Sequence, residues 1–192
     1  MVDRFEEIEE LCEFAEVMSS KPVTQELGKE VVEDADITPA EGRVPHQILE
    51  YISDRLTKSE RVEGFTCTLH SPSRIEAYYE AIVGEGVVLD VVTTEQVVEY
   101  LRSEHNDKLT SAIESGNLRI HAIDGEIPFT TLVFDRQDVA VLLFESDADM
   151  KGITSIKCLI TNGSTEAVEW AVQKTEAYKD RSKTVELTNL ES

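Results

Sequence analysis

Residues 87–101 read VVLDVVTTEQVVEYL, and this stretch decides the fold. Its first half, Val87-Val88-Leu89-Asp90-Val91-Val92, is a continuous apolar run of strand length, the mark of a strand buried on both faces in a mostly parallel sheet. Thr93 stands three residues before Gln96, a capping box that opens a helix bearing Val97, Val98 and Leu101. A buried strand that runs straight into a helix is half of a β-α-β unit, and the flanking residues supply the rest.

Upstream, residues 62–69 (VEGFTCTL) form a β-rich run that ends at His70-Ser71-Pro72-Ser73, where Ser71 caps a helix and Pro72 sits in its first turn. That helix carries Ile75, Tyr78, Tyr79 and Ile82 and stops at Gly84 or Gly86. Downstream, a second helical segment over 106–115 closes at Gly116, and residues 118–123 make a third strand. Two more strands, 129–134 and 138–144, are joined by Asp135-Arg136-Gln137 at hairpin spacing and should pair antiparallel. A last strand over 153–160 precedes a helix capped by Ser164 and bearing Ala167, Val168, Trp170, Ala171, Val172 and Tyr178. The order β-α-β-α-β-β-β-β-α predicts an α/β fold built on a mixed sheet.

In front of this block, Phe5, Ile8, Leu11, Cys12, Ala15 and Met18 make a helical apolar stripe among acidic residues. Such a stripe wants a partner surface, so Phe5, Ile8, Leu11, Cys12 and Ala15 are the candidate dimerisation residues. Residues 19–45 hold three of the five prolines and read as a linker with one short strand or turn near Val31 and Val32. Helical spacing returns over 46–58 through Ile48, Leu49, Ile52 and Leu56. The expected organisation is an amphipathic helix and linker over 1–45, an α/β domain over 46–185 and a tail over 186–192, with the chain fraying after Asp180.

The composition narrows the function classes. The chain has 192 residues with 39 acidic against 18 basic, a net charge of -21, and 41% apolar residues, enough to build a core. Neutralising nucleic-acid phosphates takes Lys and Arg clusters, which this sequence lacks, so direct DNA binding by this chain is disfavoured. Such acidity also fits a salt-rich cytoplasm, where a Debye length of about 3 Å at 1 M screens self-repulsion. Cys12, Cys67 and Cys158 lie far apart with no C-x-x-C spacing, which points to neither a disulfide framework nor a zinc site. With no signal peptide and no apolar run of membrane-spanning length, the expected compartment is the cytoplasm and no membrane partner is expected.

Enzyme signatures fail in turn: G-x-S-x-G, G-x-x-x-x-G-K-[ST], H-E-x-x-H and a post-strand G-x-G-x-x-G are all missing from the sequence. His105 lies beside Glu104 and Asp107, but adjacent positions diverge on a helix, so no metal site is expected. His121 reads as a half-buried strand residue and His46 as an exposed one. Polar groups concentrate at the carboxyl edge of the parallel strands, where open α/β sheets bind ligands. His70, Ser71, Ser73, Arg74, Thr93, Thr94 and Asp124 are the candidate ligand residues there, with Arg74 and the amides near Ser73 suited to an anion. Simple capping of two helices accounts for Ser71 and Thr93 as well.

Residues 62–101, 109–144 and 164–187, with the lead-in VVEDADITPAEGRVPHQILEYISDRLTKSERVEG over 31–64, resemble the C-terminal domain of haloarchaeal winged-helix regulators of the FilR middle-domain type, the methanogenesis regulatory protein family. The strings ESGNLRIHAIDGEIPF and EAVEWA carry much of the likeness. The resemblance implies a sensing and dimerising module of a transcriptional regulator, with a phospholipase D-like sandwich that lacks the H-x-K-x-x-x-x-D motif. No histidine here is followed two residues later by lysine. The expected reading is therefore a non-catalytic homodimer without a cofactor, with a small anionic effector at the sheet edge and contact with DNA only through a winged-helix segment absent from this chain. The rival readings are an interaction module without a ligand and a phosphodiesterase-like hydrolase.

Overall fold

The computed structural model describes residues 26–40, 44–69, 74–144 and 156–186. In chain order they form α1 (Lys29–Val32), β1 (Asp36–Pro39), α2 (Val44–Lys58), β2 (Arg61–Thr66) and α3 (Ile75–Tyr79), which runs on as a π-helical turn over Glu80–Gly84. Then come β3 (Val88–Thr94), α4 (Glu95–Glu114), β4 (Leu118–Ile123), β5 (Thr130–Phe134), β6 (Asp138–Phe144), β7 (Ile156–Asn162), α5 (Thr165–Lys179) and β8 (Lys183–Thr184). All eight strands join one sheet in the order β1-β7-β6-β5-β2-β3-β4-β8. β2, β3 and β4 run parallel, and every other neighbour pair is antiparallel. The expected mixed α/β sheet is therefore the fold.

Both faces of this sheet are covered, which is why its strands are so apolar. Alternation along β6 shows the division: Val139, Val141 and Leu143 pack with α1 and α5, whereas Ala140, Leu142 and Phe144 pack with α2. α5 lays Ala167, Val168, Ala171 and Tyr178 on the first face, beside Phe65 and Val92. On the second face α2 contributes Ile48, Leu49, Ile52 and Leu56, and next to it Ile82, Val98, Leu109 and Ala112 cover Val91, Leu118 and Ile120. At roughly 1.5–3 kcal/mol per fully buried aliphatic or aromatic side chain, these layers are the main source of stability. In the three-residue connection between β5 and β6 both Asp135 and Arg136 are at positive φ, and Gln137 N donates to Phe134 O at 2.9 Å, which closes a tight turn.

Several expectations need correction. The helix cap after β3 is Thr94, not Thr93: Thr94 Oγ1 accepts from Val97 N at 3.4 Å. Thr93 is still in the strand, buried on the second face, and its hydroxyl donates to Thr66 O at 3.0 Å. The break expected before the second helical segment is present: α4 consists of two helical stretches that meet at His105, whose φ of -140° and ψ of 29° leave the helical region.

The stretch read as a linker contributes α1 and β1, the latter pairing with β7 from Asp36↔Thr161 to Pro39↔Cys158. Asn162 explains this order, because its Nδ2 donates to the carbonyls of Glu30, Val31 and Glu33 and so ties the end of β7 to α1. The chain beyond Asp180 likewise joins the sheet as β8, with Val185 buried and its N–H donating to Ile120 O at 2.8 Å. β7 begins at Ile156; the expected start at residue 153 lies outside the described residues.

Candidate ligand site

Between the second face of the sheet and helices α2, α3 and α4 lies a cavity of about 150 Å³. Its floor is Leu89, Val91 and Thr93 of β3 with Leu118 and Ile120 of β4, and its roof includes Ile75, Tyr78, Tyr79, Ile82, Leu101, Leu109 and Ala112. The sheet side is apolar because strand alternation places Leu89, Val91 and Thr93 together here and sends Asp90 and Val92 to the opposite face. Both irregular helical segments border the space: Ile82 belongs to the π turn and His105 is the kinked residue of α4. Local departures from α geometry of this kind recur at functional sites.

Most of the described polar groups of the lining have hydrogen-bond or ion-pair partners in the protein. Thr66 Oγ1 donates to Thr68 O at 2.6 Å and also meets Thr130 Oγ1 at 3.0 Å. Tyr79 and Ser111 hydroxyls lie 3.2 Å apart. Burial pushes the Tyr78 hydroxyl pKa up, partly offset by its hydrogen bond with Ser53 and by the Arg74 cation. Lys108, at the α4 side, forms an ion pair with Glu76 of α3, which links the two helices that roof the cavity. The His105 ring stands edge-on to Tyr100, their centroids 5.9 Å apart.

Among the residues expected to bind a ligand, Thr93 lines the cavity; Arg74, which precedes the lining residue Ile75, does not, and its Nη1 donates to Ser53 Oγ at 3.3 Å. Thr94 is occupied as the α4 cap, and Asp124 is exposed beyond β4, so the structure does not bring these two to the cavity. His70, Ser71 and Ser73 lie outside the described residues, as do Phe5, Ile8, Leu11, Cys12 and Ala15. The apolar lining escaped the sequence reading because Tyr78, Tyr79, Ile82, Leu109 and Ala112 look like any helix face turned to a core. The available signal was the excess of large apolar groups on both helices that follow parallel strands.

A second group of polar residues, on the opposite face, was also missed. Glu63 and Asp90 are register partners on β2 and β3 and are only 1% and 5% exposed. Arg136 Nε bonds Glu63 Oε1 at 2.6 Å, Arg61 Nη2 lies 3.6 Å from both acids, and Lys179 Nζ reaches Asp90 Oδ2 at 3.0 Å. His121 Nε2 meets Asp90 Oδ1 at 3.0 Å. Burial alone would raise the Asp90 pKa, but the hydrogen bonds from His121 and Lys179 outweigh it and bring it down to about 2. The cluster joins α5, three strands and the β5–β6 hairpin; its two carboxylates face three cations, and Glu176, 3.0 Å from Lys179 Nζ, supplies the third acid. Among the described residues no three His, Cys, Asp or Glu side chains converge to hold a metal ion.

The family model of the methanogenesis regulatory protein FilR1 middle domain matches residues 45–181. The chain belongs to this family. By that model the chain carries the middle domain of a methanogenesis regulatory protein. Among solved structures it is similar to TrmBL2, described as an archaeal chromatin protein with a novel mode of DNA binding, at a TM-score of 0.59 and 14% identity. That match covers 96% of this chain, which spans only 65% of the TrmBL2 chain. Nuc from Salmonella typhimurium, a phospholipase D family member, matches at a TM-score of 0.53 and 12% identity over 79% of this chain and 97% of its own. NucT from Helicobacter pylori matches at 0.57 and 9% identity over 79% of this chain and 99% of its own. At these identities the likeness is one of fold, and it is the phospholipase D-like layering that the resemblance implied. No curated protein matches the sequence. No helix among the described residues is long and apolar enough to cross a membrane.

Proposed function

We propose that this FilR1-type domain is a non-catalytic, effector-sensing and dimerising module of an archaeal, cytoplasmic transcriptional regulator that works in a salt-rich cell. The observation that carries the reading is the cavity roofed by a kinked helix and a π turn, in a family of regulatory domains. A ligand that favours one arrangement of α3 and α4 tenfold over another shifts their balance by about 1.4 kcal/mol. In a homodimer held through the stripe of Phe5, Ile8, Leu11, Cys12 and Ala15, that shift would change the spacing of DNA-reading heads supplied by a winged-helix segment.

The test is light scattering with small-angle X-ray scattering on the purified chain in molar salt, with and without a metabolite pool. The reading expects a dimer whose dimensions change with ligand. A strict monomer at all concentrations removes the means of signal transfer. Phosphodiester turnover that disappears in His70→Ala would replace the reading with the hydrolase one.

A further inference from the structure

We infer that the cavity between the sheet and helices α2–α4 takes a compact, uncharged apolar molecule, an aromatic ring or a short branched hydrocarbon. This deepens the sensing reading and rests on it for what binding achieves.

Three observations converge on this ligand class. The first is size: about 150 Å³ accommodates a single ring, the volume at which enclosed apolar cavities accept benzene or xenon. The second is the lining, in which Ile52, Val91, Leu109, Ala112, Leu118 and Ile120 present hydrocarbon from four elements.

The third is the state of the polar groups. Thr93 gives its hydroxyl to Thr66 O, Thr66 gives its own to Thr68 O, and Tyr79 is bonded with Ser111. A polar ligand would have to break these bonds or leave its own groups unpaired, and a buried charge without a partner costs far more than the apolar contact returns. The nearby cations are also engaged, Lys108 with Glu76 and Arg74 with Ser53. Of the described lining residues only Lys108 carries a fixed positive charge, and it is paired with Glu76.

The test uses the whole chain labelled at Ile, Leu and Val methyls and titrated with toluene, with benzoate as the charged counterpart. Toluene should move the methyl signals of Ile52, Leu109 and Ile120 and leave Val139, Val141 and Leu143 on the opposite face in place. At ten times its Kd it should raise Tm by roughly 3–6 °C. Filling the space with Ala112→Phe, or with the smaller Ala112→Leu if the first fails to fold, should weaken toluene at least tenfold. No methyl response to toluene, or benzoate binding as tightly as toluene, overturns the inference. If toluene binds but the dimer dimensions stay unchanged, the ligand class stands and the sensing reading falls. If toluene fails while a charged metabolite alters the dimer, the sensing reading survives and the ligand class is wrong.

Discussion

Replacing Asp90 by Asn tests whether the buried charge cluster fastens α5 to the sheet. The carboxyl is 5% exposed, and its pKa stands at about 2 against an ordinary 3.8. The folded state therefore binds this proton more weakly than the unfolded chain, so the carboxylate stabilises the fold above the unfolded value. A difference of nearly two units corresponds to about 2.5 kcal/mol at pH 7, of which about half is gone by pH 3 and the rest is lost as pH falls through 2. Asn keeps the shape and an acceptor for Lys179 but leaves Lys179 and His121 facing a neutral group. Asp90→Asn should cost about 2 kcal/mol at pH 7, which lowers Tm by roughly 4–8 °C for a chain of this size. Urea unfolding followed by circular dichroism at pH 7 and pH 3 reads both quantities. The gap between wild type and variant should narrow by about half at the lower pH. A variant as stable as wild type at pH 7, or a gap of equal size at both pH values, refutes the argument.

Gly64→Ala should cost about 3 kcal/mol or more in the same unfolding assay, because a methyl there meets the Thr131 carbonyl oxygen across β2 and β5. Thr94→Ala should cost about 0.5–1 kcal/mol, at the lower end for a cap since the bond to Val97 N is long. Burial pushes the Cys67 thiol up to about 11 and Cys158 up to about 12, the first despite a hydrogen bond with Thr130. At pH 8 about one Cys67 in a thousand is thiolate, so peptide mass spectrometry should find iodoacetamide on Cys67 and Cys158 only after unfolding. Glu76→Gln should lower stability by less than about 1 kcal/mol, because its pair with Lys108 is exposed to solvent.

The parts of the fold legible in the sequence are those where one periodicity is undisturbed. The β5–β6 hairpin, the Ser164 cap and Gly116 at φ +79° follow directly from alternation, side-chain chemistry and the left-handed turn. The short strand expected within residues 19–45 lies at β1, further along than Val31 and Val32, and β8 was hidden, because each borrows its place from elsewhere: β1 from Asn162 gripping α1, β8 from a main-chain bond to Ile120. Thr93 and Thr94 are adjacent and chemically alike, and only the strand's alternation decides which one turns to the core and which caps the helix. The cavity was illegible for a different reason, since it is what remains when side chains from several elements fail to meet. Asp90 was the overlooked signal: a carboxylate inside VVLDVV must find cations once both faces are covered.

The two faces of the sheet are held by interactions of different strength, and under the sensing reading proposed above this says where motion would occur. On the first face α5 is fixed by a close-packed core, by Lys179 on a buried carboxylate and by Asn162 reaching α1. On the second face α3 and α4 are joined by the solvent-facing Glu76–Lys108 pair, worth about 0–1 kcal/mol, and by the Tyr79–Ser111 contact, above a space their side chains leave unfilled. Shifting α5 would break the buried Lys179–Asp90 pair, whereas shifting α3 against α4 breaks an exposed ion pair and the part-buried Tyr79–Ser111 contact. A ligand that fills the cavity supplies apolar burial where the packing is weakest. Any rearrangement it drives should run through the π turn and the His105 kink, with the α5 layer serving as the fixed reference.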